Sequence, residues 1–208
     1  MSFHEFLERL LTGLQHTTPV EYIAVFAGIA SVYFSRIENI LVYPVGLINT
    51  IIYVYLSFNY HLLGEASVNF YYTVMSIYGW ILWTKRDKEQ QHVVTISFSD
   101  RRWWGYQLAF FLIFYIVIFF SLTYLKKVFA PGAIPWADAF ASSTAFTGMW
   151  LMTKKKVESW HWWIATNIAS IPLYFVKGLV FTSVYYLILL VFAFWGLKEW
   201  KKRVTPHA

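Results

Sequence analysis

Two stripes of polar side chains cross otherwise apolar stretches of this chain. Asn69, Tyr72, Thr73 and Ser76 fall at i, i+3, i+4 and i+7, so a helix would place them on one face. Trp163, Asn167, Ser170, Tyr174 and Lys177 fall at i, i+4, i+7, i+11 and i+14, forming a second stripe beside Thr166. Asn49, Thr50 and Tyr53 form a shorter set in a third apolar stretch. A polar group in hydrocarbon is costly unless it is paired or faces a cavity. Aromatic faces stack and an amide both donates and accepts, so these stripes suit a neutral or cationic ring-bearing ligand. The chemistry is binding rather than bond-breaking. The chain has no Gly-x-Ser-x-Gly, no Walker-type loop and no His cluster at metal spacing. No catalytic set, metal or cofactor is expected. Asn49 and Asn167 read either as ligand contacts or as hydrogen bonds between two halves of the molecule. Ser142, Ser143, Thr144 and Thr147 read as packing and back-bonding residues.

The elements that must position these side chains are membrane spans. The chain has 208 residues, of which 58% are apolar, 22% aromatic and only 13% charged. A soluble domain carries about a quarter charged residues. Seven apolar stretches are long enough to cross a bilayer, near 20–35, 39–59, 66–84, 105–125, 134–152, 159–177 and 179–198. Ser2 to Gln15 alternates Glu5, Glu8 and Arg9 with Phe3, Phe6, Leu7, Leu10 and Leu11, the pattern of an interfacial amphipathic helix. The absence of cysteine excludes disulfides and Cys-ligated metal. The net charge of +6 needs no nucleic acid as partner. With the C-terminus in the cytoplasm, the inner side holds Arg36, Lys85, Arg86, Lys88, Arg101, Arg102, Lys154, Lys155, Lys156, Lys198, Lys201, Lys202 and Arg203, 13 of the 17 basic residues. The positive-inside rule thus places the N-terminus outside.

The chain also reads as a repeat. Gly79-x-x-x-Trp83-x-Lys85 closes one apolar stretch, and Gly196-x-x-x-Trp200-x-Lys202 closes another. Asn49 answers to Asn167, and Arg36-Ile37-Glu38 to Lys156-Val157-Glu158. Residues 20–84 and 134–198 are then two three-helix units joined by the span 105–125 within one membrane domain. One linker span makes the units parallel, which is the 3-1-3 arrangement of SWEET-like transporters. Pro44 and Gly46 interrupt the second span and Pro172 the sixth, in corresponding places. Trp83, Trp103, Trp104, Trp136, Trp160 and Trp200 near span ends read as interface anchors. Glu38 and Glu158 read as first-turn carboxylates or partners of Arg36 and Lys154 to Lys156. Asp138 reads as a helix-start residue or as an attractor of cations at the outer mouth. No charge lies near the midplane, so no ion relay is visible and passive facilitated diffusion is the natural mechanism.

The tract Glu158-Ser-Trp-His-Trp-Trp163-Ile-Ala-Thr-Asn167-Ile-Ala-Ser-Ile-Pro-Leu-Tyr174-Phe-Val-Lys177-Gly178-Leu179, running on to Tyr185 and Gly196-x-x-x-Trp200, resembles the C-terminal half of the PnuC family of bacterial nicotinamide riboside transporters. Glu38, Pro44-Val-Gly46-Leu-Ile-Asn49 and Tyr78-Gly79-Trp80-x-x-Trp83 agree, so the resemblance covers about residues 20–202. It implies an all-α SWEET-like membrane fold, an inner-membrane location and a homotrimer. It also implies facilitated diffusion of nicotinamide riboside, trapped by cytoplasmic phosphorylation. The positions that fit the family's substrate contacts are Trp162, Trp163, Thr166, Asn167, Tyr174, Asn49, Tyr53, Asn69 and Tyr72. Related members carry other vitamins, and the Tyr and Trp content would equally suit thiamine.

Overall fold

The computed structural model describes residues 3–59, 63–129 and 132–204. They form eight helices: α1 (Phe3–His16), α2 (Pro19–Arg36), α3 (Val42–Asn59), α4 (Leu63–Thr84), α5 (Arg101–Phe129), α6 (Pro135–Thr153), α7 (Ser159–Val176) and α8 (Val180–Arg203). The amphipathic segment is α1, and each expected span falls on one of the other seven helices.

Local sequence sets the helix ends. Thr18 and Glu21 form a reciprocal capping box at the start of α2, with Pro19 in the first turn. Asp138 accepts the Ile134 backbone N–H at 2.5 Å and fixes the start of α6. Gly178 takes φ 79° just after α7, a left-handed turn that frees the chain to reverse into α8. The expected break at Pro44 and Gly46 does not occur. α3 begins at Val42, so Pro44 stands in the first turn, where its missing N–H is not needed. Gly46 instead lets the Ser31 side chain approach, 3.5 Å from where its Cβ would lie. Pro172 does lie inside α7, which continues to Val176.

The helices close a ring. α2 packs on α3, α3 on α4, α4 on α6, α6 on α7, α7 on α8, and α8 returns to α2. α5 packs against α6, and α1 against α8. Leu112, Ile113, Ile116 and Val117 of α5 are each at least half exposed, an apolar surface stable only against lipid. By length and composition alone, α3, the Arg101–Tyr124 part of α5, and α8 are long and apolar enough to cross a membrane. The other ring helices carry the small and polar residues of the interior.

At the end where α2 and α6 finish, the ring is filled with aromatic side chains. Trp83, Trp160 and Trp200 are 3%, 1% and 0% exposed. The interface-anchor expectation therefore fails for these three, while Trp104 and Trp136 are exposed as anchors would be. The cause is the glycine one turn before each closing tryptophan. Gly79 lies against the Tyr43 ring and Gly196 against the Trp160 ring, so close that neither site has room for a Cβ. The indole of Trp83 then donates to the Thr153 carbonyl at 3.2 Å, and that of Trp200 to the Ser35 carbonyl at 3.0 Å. Each closing tryptophan thus caps the terminal carbonyls of a helix in the opposite half.

Pairs of residues 117 positions apart touch one another across this end. Ser35 donates to the Met152 sulfur at 3.0 Å, and Lys155 pairs with Glu38 at 2.6 Å, both across that separation. The Trp83 and Trp200 rings, at the same offset, lie 6.3 Å apart. Glu38 and Lys155 also share a left-handed backbone, with φ 60° and 52°. Glu38 thus has its partner in Lys155. Glu158 instead receives the backbone N–H and hydroxyl of Ser99, holding the 85–100 loop over the α6–α7 connection. Arg203 reaches Glu38 and Glu199, and its hydrogen bond holds the Glu199 carboxyl below the usual carboxylate range.

Lys155 is 6% exposed at its side chain and Glu38 27%, so the pair is partly desolvated. Lys155→Met should leave Glu38 without its nearest cation and lower the unfolding midpoint by about 5 °C, from a loss of ~1–2 kcal/mol. The exchanged pair Glu38→Lys with Lys155→Glu should recover most of that loss in the same thermal scan. No recovery would mean that the pair is not a stabilising contact.

Candidate solute-binding site

The site residues divide into those that face one another inside the ring and those tied up elsewhere. On α7, the Trp163 ring lies over Gly148 of α6, 3.2 Å from where a Cβ would stand, and faces Tyr72 of α4 at 6.2 Å. Tyr72 meets Phe146 edge-on, and Tyr71 stacks on Phe146 at 4.1 Å and donates to its carbonyl at 3.0 Å. These rings fill the seam between α4 and α6. One turn beyond Trp163, Asn167 is only 3% exposed. Among the described residues no protein group hydrogen-bonds its amide, and the amide is not one of the fully enclosed unpartnered atoms, which belong to Tyr43, Gln107 and Trp160. A buried amide without a partner costs several kcal/mol unless something else satisfies it.

Beyond Asn167 the interior becomes a group of tyrosines. Tyr174 stacks on Tyr186 at 5.2 Å, and Tyr185 meets Tyr186 at 5.7 Å. Ser170, on the same helix as Tyr174, is 2% exposed. Tyr53 of α3 and Tyr72 of α4 lie within electrostatic reach of Tyr186. Tyr72 of α4 thus meets Trp163 of α7, and Tyr174 of α7 meets Tyr186 of α8. A cationic or electron-poor heterocycle would find aromatic faces on both sides, with an amide beside them.

Other expected residues have bonds of their own. Asn49 donates its amide to the Ala24 carbonyl at 2.7 Å, which ties α3 to α2. Gly28 faces Asn49 and the Tyr185 hydroxyl at that crossing, where a Cβ would strike both. Asn49 and Asn167 do not bond each other. Asn69 donates to the Glu65 carbonyl of its own helix at 3.0 Å. Thr166 donates to the Trp162 carbonyl and meets the Thr144 hydroxyl at 3.0 Å, joining α7 to α6. Trp162 turns towards α5, donating to Gln107 at 2.7 Å and packing on Phe111. Lys177 pairs with Asp138 at 2.6 Å, so each neutralises the other at the α1 end of the ring, near Glu65.

Three residues of the interior escaped the sequence reading as site members. Gln107 is fully buried, with its amide nitrogen unpartnered, inside a span that reads as a bland connector. Its signal was an amide in the second turn of an otherwise apolar stretch. Tyr185 and Tyr186 entered only through the resemblance or not at all. Their signal was a tyrosine pair placed too deep in a span to be an interface belt.

A cleft of 320 Å³ opens between α1, α2, α3 and α8, bounded among others by Gly13, Glu21, Tyr53, Thr182 and Tyr185. It shares Tyr53 and Tyr185 with the tyrosine group but includes neither Trp163 nor Asn167. The unpartnered amide, rather than the size of the cleft, marks the better candidate for the site.

A ring of lipid-facing helices around an aromatic, amide-bearing interior is the build of a membrane carrier for a small organic solute. The nicotinamide mononucleotide transporter family matches residues 18–202, and the chain belongs to that family. The chain is 24% identical over 206 residues to the nicotinamide riboside transporter PnuC of Escherichia coli, covering 87% of this chain and 84% of that one. It is 25% identical over 199 residues to PnuC of Neisseria mucosa, covering 89% and 73%. The riboflavin/roseoflavin transporter RibM of Streptomyces davaonensis is 22% identical over 187 residues, covering 89% and 86%. The crystal structure of the vitamin B3 transporter PnuC shares the fold, with a TM-score of 0.71 at 23% identity over 100% of this chain and 94% of that one.

Proposed function

We propose that this protein is a facilitator for nicotinamide riboside in the bacterial inner membrane. The observation that carries the reading is the unpartnered Asn167 amide, buried beside Trp163 and the facing tyrosines. A nicotinamide ring presents a carboxamide to pair with that amide and a cationic face to stack on Tyr and Trp. The relatives named as nicotinamide riboside transporters support the same solute. In this reading α2–α4 and α6–α8 are two parallel three-helix units joined by α5, the SWEET-like 3-1-3 arrangement with seven spans. The touching residues 117 positions apart support it, because equivalent residues meet only beside a two-fold axis. The basic loops at the C-terminal end support a cytoplasmic position for that end, with α1 outside. Transport is passive, cytoplasmic phosphorylation retains the solute, the assembly is a homotrimer, and no reaction is catalysed.

A second reading is another ring-bearing vitamin. RibM names riboflavin and roseoflavin, which favours this alternative for a relative of similar identity; thiamine is the cationic candidate. Purified protein in liposomes decides between them. Labelled nicotinamide riboside is expected to equilibrate saturably, at a rate indifferent to collapsed ion gradients. Equilibration of thiamine or riboflavin alone would overturn the first reading, and dependence on an ion gradient would overturn the mechanism.

A further inference from the structure

The two seams that join the halves of the ring are unlike one another. Between α4 and α6, Tyr71 and Phe146 stack at 4.1 Å and share a hydrogen bond, with Phe114 edge-on to Phe146. Beside the contact of α2 with α8 lies a 320 Å³ cleft, bordered by the end of α1 at Gly13 and Thr17. This border is held by its own bonds. Thr17 donates to the Gly13 carbonyl at 2.6 Å, and Tyr22 to the Leu14 carbonyl at 2.8 Å. Gly13 packs closely over Phe181, 3.1 Å from where its Cβ would lie.

The walls of the cleft carry a gradient of chemistry. Glu21 supplies a carboxylate near the rim, where one oxygen accepts the Thr18 backbone N–H. Tyr53 and Tyr185 supply aromatic faces at the back. Tyr53, Glu21 and Tyr185 line the same cleft. Tyr185 also meets the Tyr186 ring at 5.7 Å, and Tyr186 stacks on Tyr174. The cleft therefore leads, through two side chains it shares, to the tyrosines around the unpartnered Asn167.

We infer that this cleft is a vestibule with its own weak binding site for a cationic, ring-bearing solute, and that α1 is its roof. Glu21 draws the cation to the rim. Tyr53 and Tyr185 then take the ring from the vestibule to the central site. The α2–α8 seam is the path of access, and the aromatic α4–α6 seam is closed. This inference rests on the proposed carrier function and on the α1 end facing outwards.

The chain has no cysteine, so a single Thr182→Cys places one reactive thiol in the cleft wall without background. A membrane-impermeant methanethiosulfonate added to whole cells is expected to label it. Labelling should be slowed by nicotinamide riboside and should cut initial uptake at least about fivefold, while the affinity of the solubilised protein for the riboside changes less than about twofold. Glu21→Gln keeps the capping box and removes the charge. It is expected to lower uptake at sub-saturating riboside about threefold at low ionic strength, and hardly at all in high salt. A thiol that stays unlabelled from outside, or a labelled protein that transports as before, overturns the vestibule. So does a Glu21→Gln protein whose uptake matches wild type at low salt. Unmodified protein that carries thiamine instead overturns the proposed solute alone, because thiamine is also a cationic ring and the same variants are then read with it. Unmodified protein that carries neither overturns both.

Discussion

Asn167→Leu is expected to weaken riboside binding at least about 30-fold, the equivalent of ~2 kcal/mol, while leaving the protein folded. The two halves of that result have separate causes. Binding falls because the amide is the buried group left for a ligand to satisfy, and leucine can neither donate nor accept. Folding survives because no protein hydrogen bond is lost. Leucine also shares the branched outline of asparagine and is the larger of the two, so no cavity opens. Titration of purified protein by tryptophan fluorescence reads the first half, since Trp163 stands one turn away. A thermal scan reads the second. An unchanged affinity would remove Asn167 from the site. Asn49→Leu is the instructive contrast, because it breaks the bond to the Ala24 carbonyl and should cost stability as well.

Gly196→Ala should damage the fold more than any change in the binding interior. The added methyl would occupy the position of the six-membered ring of Trp160, which is 1% exposed and has nowhere to retreat. Overpacking of this kind costs about 3 kcal/mol, enough to prevent assembly of a marginal membrane protein. Gly79→Ala should behave alike against Tyr43. Gly105→Ala is the control, since no atom lies within 4 Å of its added Cβ and alanine favours the helix. Adding Trp160→Phe to Gly196→Ala should restore part of the yield, because phenylalanine lacks the far ring edge that clashes. The Trp160 N–H has no partner, so removing it forfeits no bond. Size-exclusion profiles after extraction report all four proteins; equal profiles for Gly196→Ala and Gly105→Ala would refute the packing account.

The helices were legible in the sequence because apolar length is a local property. Gly105 to Leu125 needs no tertiary information to be read as helix. The shared spacing of Gly79 with Trp83 and Gly196 with Trp200 was legible too, and in both pairs the glycine lies against an aromatic ring. What those tryptophans touch was not legible. A tryptophan near a span end reads the same whether it lies in the headgroups or under a facing helix, and only the aromatic partners of Gly79 and Gly196 decide. Glu158 was paired in expectation with nearby lysines, yet Ser99, distant in sequence, receives it. Trp162 and Trp163 illustrate the limit most sharply. Adjacent helical residues point about 100° apart, so one reaches Gln107 on α5 and the other the ring interior. Sequence adjacency drew both into one candidate site.

Lys155 and Glu38 have a consequence for how such a molecule can be built. Two identical three-helix chains meeting around a two-fold axis would present each axial residue to its own copy. Glutamate would face glutamate or lysine would face lysine, and like charges at 2.6 Å would drive the pair apart. Ser35 and Met152 are likewise a donor and an acceptor that self-pairing could not supply. In the repeat arrangement proposed above, linking the units through α5 releases the axis from self-complementarity. A single chain can put opposite charges on the one line where a dimer of equals must be the same.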